Sequence, residues 1–165
     1  YTLDNGLEIL LAPDPSVPVV SVNVWYHVGS GYEQYGKSGF AHLFEHMMFQ
    51  GSKHVGEDKH FDPLKKIGVS DVNGTTNSDR TNYYETVPSN QLETALWLES
   101  DRMGYLLQPP IGKTGKPVEF KDSLANQIEV VRNERRQRYD NEAEATMASR
   151  AVIGTRGWSF LSVRP

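Results

Sequence analysis

Ser38-Gly39-Phe40-Ala41-His42-Leu43-Phe44-Glu45-His46-Met47-Met48-Phe49 is the stretch on which the reading of this chain turns. It reads as a short helix, with Ser38 the candidate N-cap, because a serine oxygen can accept from the unpaired N–H groups of a first turn. Ala41, Leu43, Phe44, Met47, Met48 and Phe49 make it apolar almost all round, and such a helix is normally buried. Yet His42, Glu45 and His46 stand at i, i+3 and i+4, which puts all three on one face. A carboxylate and two imidazoles withdrawn from water need strong partners, because unpaired polar groups are costly to bury. A divalent cation meets that need: two histidines one turn apart can present ring nitrogens to one ion about 2 Å from each.

The order is H-x-x-E-H, the inverse of the H-E-x-x-H found in many zinc hydrolases. In both, two histidines bind metal and the intervening glutamate is spare. A spare carboxylate beside a metal-activated water can take its proton and return it to a leaving amine. That makes His42 and His46 candidate ligands and Glu45 the candidate general base.

A catalytic zinc takes three protein ligands and keeps one position open. The sequence contains no cysteine, which excludes thiolate ligands, disulfides and cysteine nucleophiles, so the third ligand must be a histidine or a carboxylate. His27, His54 and His60 fall in a strand and two loop-like segments, and read as ordinary surface or partly buried histidines. A helix from about residue 123 into the 140s offers a better candidate. Its apolar stripe runs Leu124, Ile128, Val131, with Gln127 adjacent, and Glu134 is the next position on that line. A glutamate that extends an inward stripe is either ion-paired or metal-bound; Glu129, off the line, reads as solvated.

The rest of the chain sets these helices in an α+β frame. Asn5-Gly6 predicts a hairpin turn, with a strand over about 7–12. Pro13, Pro15 and Pro18 punctuate a loop, and Val20, Val22, Val24 and Tyr26 alternate as a strand that ends at Gly29-Ser30-Gly31. Residues 60–67 predict a second short helix. Asn73-Gly74-Thr75-Thr76 reads as turn chemistry leading into a strand over Thr81–Val87, closed by Pro88. Ser89 then caps a helix to about Leu107, with Leu92, Ala95, Leu96, Met103 and Leu106 on one face. Three prolines and two glycines make 108–122 a surface loop, and the pattern weakens after Asn141. Irregular alternation of strands and long helices predicts an antiparallel sheet with helices packed on one face.

The 165 residues suffice for one domain with a real core, and 38% apolar with 10% aromatic residues argues against disorder. A formal charge of −4 leaves no electrostatic footprint for nucleic acid or an anionic membrane. Arg132, Arg135, Arg136 and Arg138 cluster, but Glu129, Glu134 and Asp140 interrupt them, which predicts a solvated helix face. No run reaches the length of a membrane span and no signal peptide is visible. The start at Tyr1 reads as that of a fragment or a processed product.

Gly39 to Ser52, with its His42-Leu43-Phe44-Glu45-His46, resembles the zinc helix of the pitrilysin/insulinase (M16) metallopeptidases. Val130-Val131-Arg132-Asn133-Glu134-Arg135-Arg136 is similar to that family's second motif, whose glutamate is the third zinc ligand, here Glu134. Asn73-Gly74-Thr75-Thr76-Asn77, followed by Thr81-Asn82-Tyr83-Tyr84, resembles the edge strand on which the family lays out substrate, and Phe49 matches a position lining that site. The resemblance covers about residues 1–141. It implies one zinc ion held by His42, His46 and Glu134, and a peptide or unfolded protein as substrate along Asn73, Gly74, Thr75 and Thr76 beside Phe49. It also implies a homologous second half, from the same chain or a partner subunit, that contributes an arginine and a tyrosine, and an exported, periplasmic or secreted location. On that reading residues 1–165 form one incomplete N-terminal peptidase domain, with 142–165 unassigned. The same fold also serves as catalytically silent subunits, but these typically lose the ligands. Two departures stand out. His46 and Glu134 are 88 residues apart, about a dozen more than is usual in the family, and the 108–122 loop accommodates the surplus. Gln127 occupies a position that is a second glutamate in some members.

Overall fold

The computed structural model describes residues 1–34, 39–69 and 71–146, with side chains described as far as residue 137. Its elements are β1 (Val19–Tyr26), α1 (Phe40–Met47), α2 (Phe61–Lys66), β2 (Val72–Thr76), β3 (Thr81–Pro88), α3 (Leu92–Tyr105) and α4 (Phe120–Thr146). The three strands form an antiparallel sheet in the order β1-β3-β2. The expected α+β architecture is present, with the helices gathered on one face of the sheet.

Register explains which side chains face the helices. Val20 pairs with Val87, Val22 with Glu85 and Val24 with Tyr83, while Val72, Gly74 and Thr76 lie opposite Glu85, Tyr83 and Thr81. Side chains alternate along a strand, so these positions share one face. There Val87 joins Val55, Leu64, Val69, Ala95 and Leu98 in the core, with Val20, Val22, Ile67 and Val72 packed against it. Each such buried aliphatic contributes about 1.5–3 kcal/mol.

Three expectations need correction. Asn5-Gly6 does turn the chain, with Leu3 N–H bonded to the Leu7 carbonyl, but no strand follows among residues 7–12. Leu10 and Leu11 are exposed there and a single bridge joins Thr2 to Glu8, so the segment lacks a ladder to join. Asn73–Thr76 is strand β2 rather than a turn, and the reversal is made by the next four residues. There the Asn77 side-chain carbonyl accepts from the N–H groups of Asp79 and Arg80 at 2.8 and 2.9 Å. Ser89 opens a short 3-10 turn and gives no side-chain cap to α3; its N–H is bonded to the Pro18 carbonyl.

The buried face of α3 also differs from the apolar stripe. Ala95, Leu98, Glu99, Asp101 and Arg102 are the buried residues, whereas Leu96 and Met103 are half exposed. Glu99 and Arg102 can occupy that face because they neutralise each other. α1 is likewise less buried than its composition suggests. Ala41, Met47 and Met48 are inside, but Phe40 and Phe44 border an open apolar groove of about 430 Å³ with Tyr26, Val28 and Tyr83. The predicted 108–122 loop is shorter by its last turn, because α4 begins at Phe120.

Candidate metal centre

Two devices fix α1. Its first turn is bound from outside the helix: the Glu33 carboxylate, in the loop after β1, accepts from the N–H groups of Gly39 at 2.6 Å and Ala41 at 2.8 Å. Gly39 takes the N-cap position at φ 116°, a left-handed conformation that suits a residue without Cβ. Ser38, the expected cap, lies outside the described residues. At the other end Asp101 of α3, buried, accepts from Ser52 Oγ, from His54 Nδ1 at 2.5 Å and from the His54 N–H at 3.3 Å. The turn after α1 is thereby fastened to α3.

α4 lies across α1 and presents Ser123, Gln127 and Val131 inward, with Glu134 one turn beyond. The structure brings three donor atoms together there. His42 Nε2 and His46 Nε2 are 3.1 Å apart, and Glu134 Oε2 lies 3.6 Å from the first and 3.4 Å from the second. Three ligands about 2.0–2.1 Å from one tetrahedral ion are spaced roughly 3.3–3.4 Å from one another. The observed separations bracket that value, so the donor set fits zinc in both chemistry and spacing. Among the described residues this is the one His/Asp/Glu cluster of such closeness.

Glu45 stands beside it, half-buried, and accepts from Thr76 Oγ1 of β2. Burial pushes its carboxyl above the usual range, opposed by the Thr76 hydrogen bond and the neighbouring His46. Gly74 on the same strand is opposite Tyr83 and allows close approach. A Cβ built there would sit 3.0 Å from Phe49 Cε2, 3.1 Å from Glu45 Cγ and 3.2 Å from Tyr83 Cδ1.

Of the residues assigned to substrate by resemblance, Phe49, Gly74 and Thr76 therefore adjoin Glu45. Asn73 and Thr75 alternate to the other face of the sheet, where Thr75 bonds Asn82 and Arg80. The other histidines lie elsewhere: His27 is exposed, His54 is held by Asp101, and His60 is fully buried rather than superficial. Glu129 is exposed and paired with Arg132. The Glu33 cap has no sequence signature, since it reaches Gly39 and Ala41 from six and eight residues upstream, and Thr76 is 31 residues from Glu45; the alternation of β2 is the available signal for Thr76.

The family model described as insulinase, peptidase family M16, matches residues 8–152. The zinc protease PqqE of Helicobacter pylori is 33% identical over 141 residues, which is 85% of this chain and 29% of that protein. Human insulin-degrading enzyme is 32% identical over 94 residues, 57% of this chain and 9% of its own. A crystal structure of a Helicobacter pylori protease superposes with a TM-score of 0.65 at 31% identity, covering 76% of this chain and 27% of that one. The first half of the periplasmic protease PqqL from Escherichia coli shares the fold, with a TM-score of 0.62 at 24% identity over 82% of this chain and 28% of that one. The chain thus spans under a third of the length of the relatives it matches. With the match running through both the α1 and the α4 motifs, this chain belongs to the insulinase family of peptidases, family M16.

Proposed function

We propose that the chain carries the catalytic centre of a zinc-dependent endopeptidase. The observation that carries this reading is the meeting of His42, His46 and Glu134 donors within 4.8 Å of one another, with Glu45 alongside. Zinc, when bound by these three, supplies Lewis-acid polarisation and makes water acidic enough to yield a nucleophile near neutral pH. Glu45 takes the proton from the attacking water. Its Oε2 is engaged by Thr76, which leaves Oε1 to receive that proton and then deliver it to the leaving amine.

The substrate is an extended peptide added as a strand to the free edge of β2, with Phe49 and Gly74 as the floor beside Glu45. Backbone pairing accounts for binding with little dependence on sequence, and side-chain pockets add preference. An exported location belongs to the same reading, supported by the E. coli relative described as periplasmic.

The test is a pair of substitutions in the full-length protein. Glu45→Gln is expected to abolish hydrolysis of an unstructured peptide while zinc stays near stoichiometric; His46→Ala is expected to lose both. Loss of zinc from Glu45→Gln as complete as from His46→Ala would make Glu45 a ligand and overturn the assignment.

A further inference from the structure

We propose that Arg102 is a positioning residue for Glu45, acting through the rings of Tyr83 and Phe49. The inference rests on the peptidase reading above. Arg102 is 1% exposed on α3, and its guanidinium bonds Glu99 through Nε at 3.0 Å and through a second nitrogen. The same group lies 4.3 Å from the centroid of the Tyr83 ring and 5.2 Å from that of Phe49.

The two rings meet edge to face at 5.6 Å. Phe49 is boxed further by Phe61, stacked at 5.0 Å, and by the edge of His60 at 5.3 Å. Beyond the rings lies Gly74, where an added Cβ would meet Phe49, the Glu45 stem and Tyr83 at 3.0, 3.1 and 3.2 Å. Three layers thus stand in contact: guanidinium, rings, then Glu45 with the β2 edge. A ring that shifts meets tight packing on its far side, and that is the route by which displacement would reach Glu45.

Stability alone does not explain the arrangement. A buried Arg–Glu pair is commonly no better for stability than apolar side chains of the same volume. A second buried carboxylate, Glu85, lies within electrostatic reach of Glu99 and Arg102. What arginine offers, and lysine does not, is a flat fork that binds one carboxylate twice while its faces lie on rings.

The test uses the full-length zinc-loaded protein with two variants, Arg102→Lys and the neutralised double variant Glu99→Gln/Arg102→Met. Rates are taken per bound zinc, well below each melting temperature. Both are expected to keep zinc and a cooperative melt, with kcat lower by about 10- to 100-fold and KM changed far less. In a Phe49→Leu background, Arg102→Lys is expected to add little further loss, because the effect passes through that ring. Wild-type kcat in either folded variant overturns the positioning role. So does failure of both to fold, which would assign Arg102 to the fold alone. A parent protein without Glu45-dependent hydrolysis overturns this inference together with the peptidase reading; a parent with it confines failure to Arg102.

Discussion

Glu85 holds a carboxyl with no solvent access, within electrostatic reach of Glu99 and of the Arg102 guanidinium that Glu99 binds. Burial, then the charge of Glu99, push it up to about 8, while Arg102 pulls it down. His60 is displaced the other way: burial, aided by Arg102, pushes its imidazole down to about 3. The signs differ in consequence. Glu85 binds a proton more tightly folded than unfolded, so its contribution is complete below about 4.5 and is lost as pH rises through about 8. His60 binds its proton less tightly when folded, so its contribution is present above 6.5 and is lost as pH falls toward about 3. Between 4.5 and 6.5 the two slopes oppose each other; above 6.5 Glu85 alone remains. Stability is therefore expected to fall as pH rises from 6.5 to 8. Glu85→Gln should remove that fall, read by chemical denaturation at the two pH values; an unchanged slope would contradict it. At this scale the sequence was most legible where one helical turn fixes geometry, as for His42, Glu45 and His46. Glu99, Arg102 and Glu85 were not read as core, since ionisable side chains enter a core only with partners that tertiary structure supplies.

Elements were legible where periodicity is strong and less so where burial contradicts composition. β1 alternates clearly, β3 is bounded by turn residues and Pro88, and α2 falls within the predicted 60–67. α3 was found, but its inward face was misjudged by the rule that apolar residues point in; Leu96, Trp97 and Met103 are all half exposed. Asn73-Gly74 reads as a turn because both residues favour one, yet pairing with Tyr84 and Tyr83 draws them into β2. α1, at 8 residues, is too short to be stable by itself, and its position depends on what holds its ends. Glu33→Ala removes both bonds to its first turn. The expected result is a loss of about 0.5–2 kcal/mol in stability, as for other helix caps. Zinc should also be held about 10-fold more weakly, since His42 lies in that turn. Competition with a chelator measures the second effect; unchanged zinc affinity would show that α4 alone orders the ligands.

The molecule as a whole spans 29% of its Helicobacter pylori relative, and the resemblance assigns two oxyanion donors, an arginine and a tyrosine, to a homologous second half. Removing one positioned donor typically costs about 100- to 1000-fold in rate. These 165 residues expressed alone should therefore bind zinc yet turn over a fluorogenic peptide at a small fraction of the rate seen when the second half is added. Full activity from the monomeric chain alone would sink this. The fold was legible at this scale because motifs on α1, β2 and α4 occur in order, whereas the open groove beside Phe40 and Phe44 depends on what is not adjacent, which no local pattern encodes. The spacing of the ligands has a consequence in time. His46 leaves the ribosome 88 residues ahead of Glu134, and at about 5–20 residues per second the gap is roughly 4 to 18 seconds. Throughout that interval a nascent chain offers the two imidazoles without Glu134. The third donor joins the two imidazoles only once α4 docks against α1, so the complete set is assembled by the closing of the fold rather than by the order of synthesis.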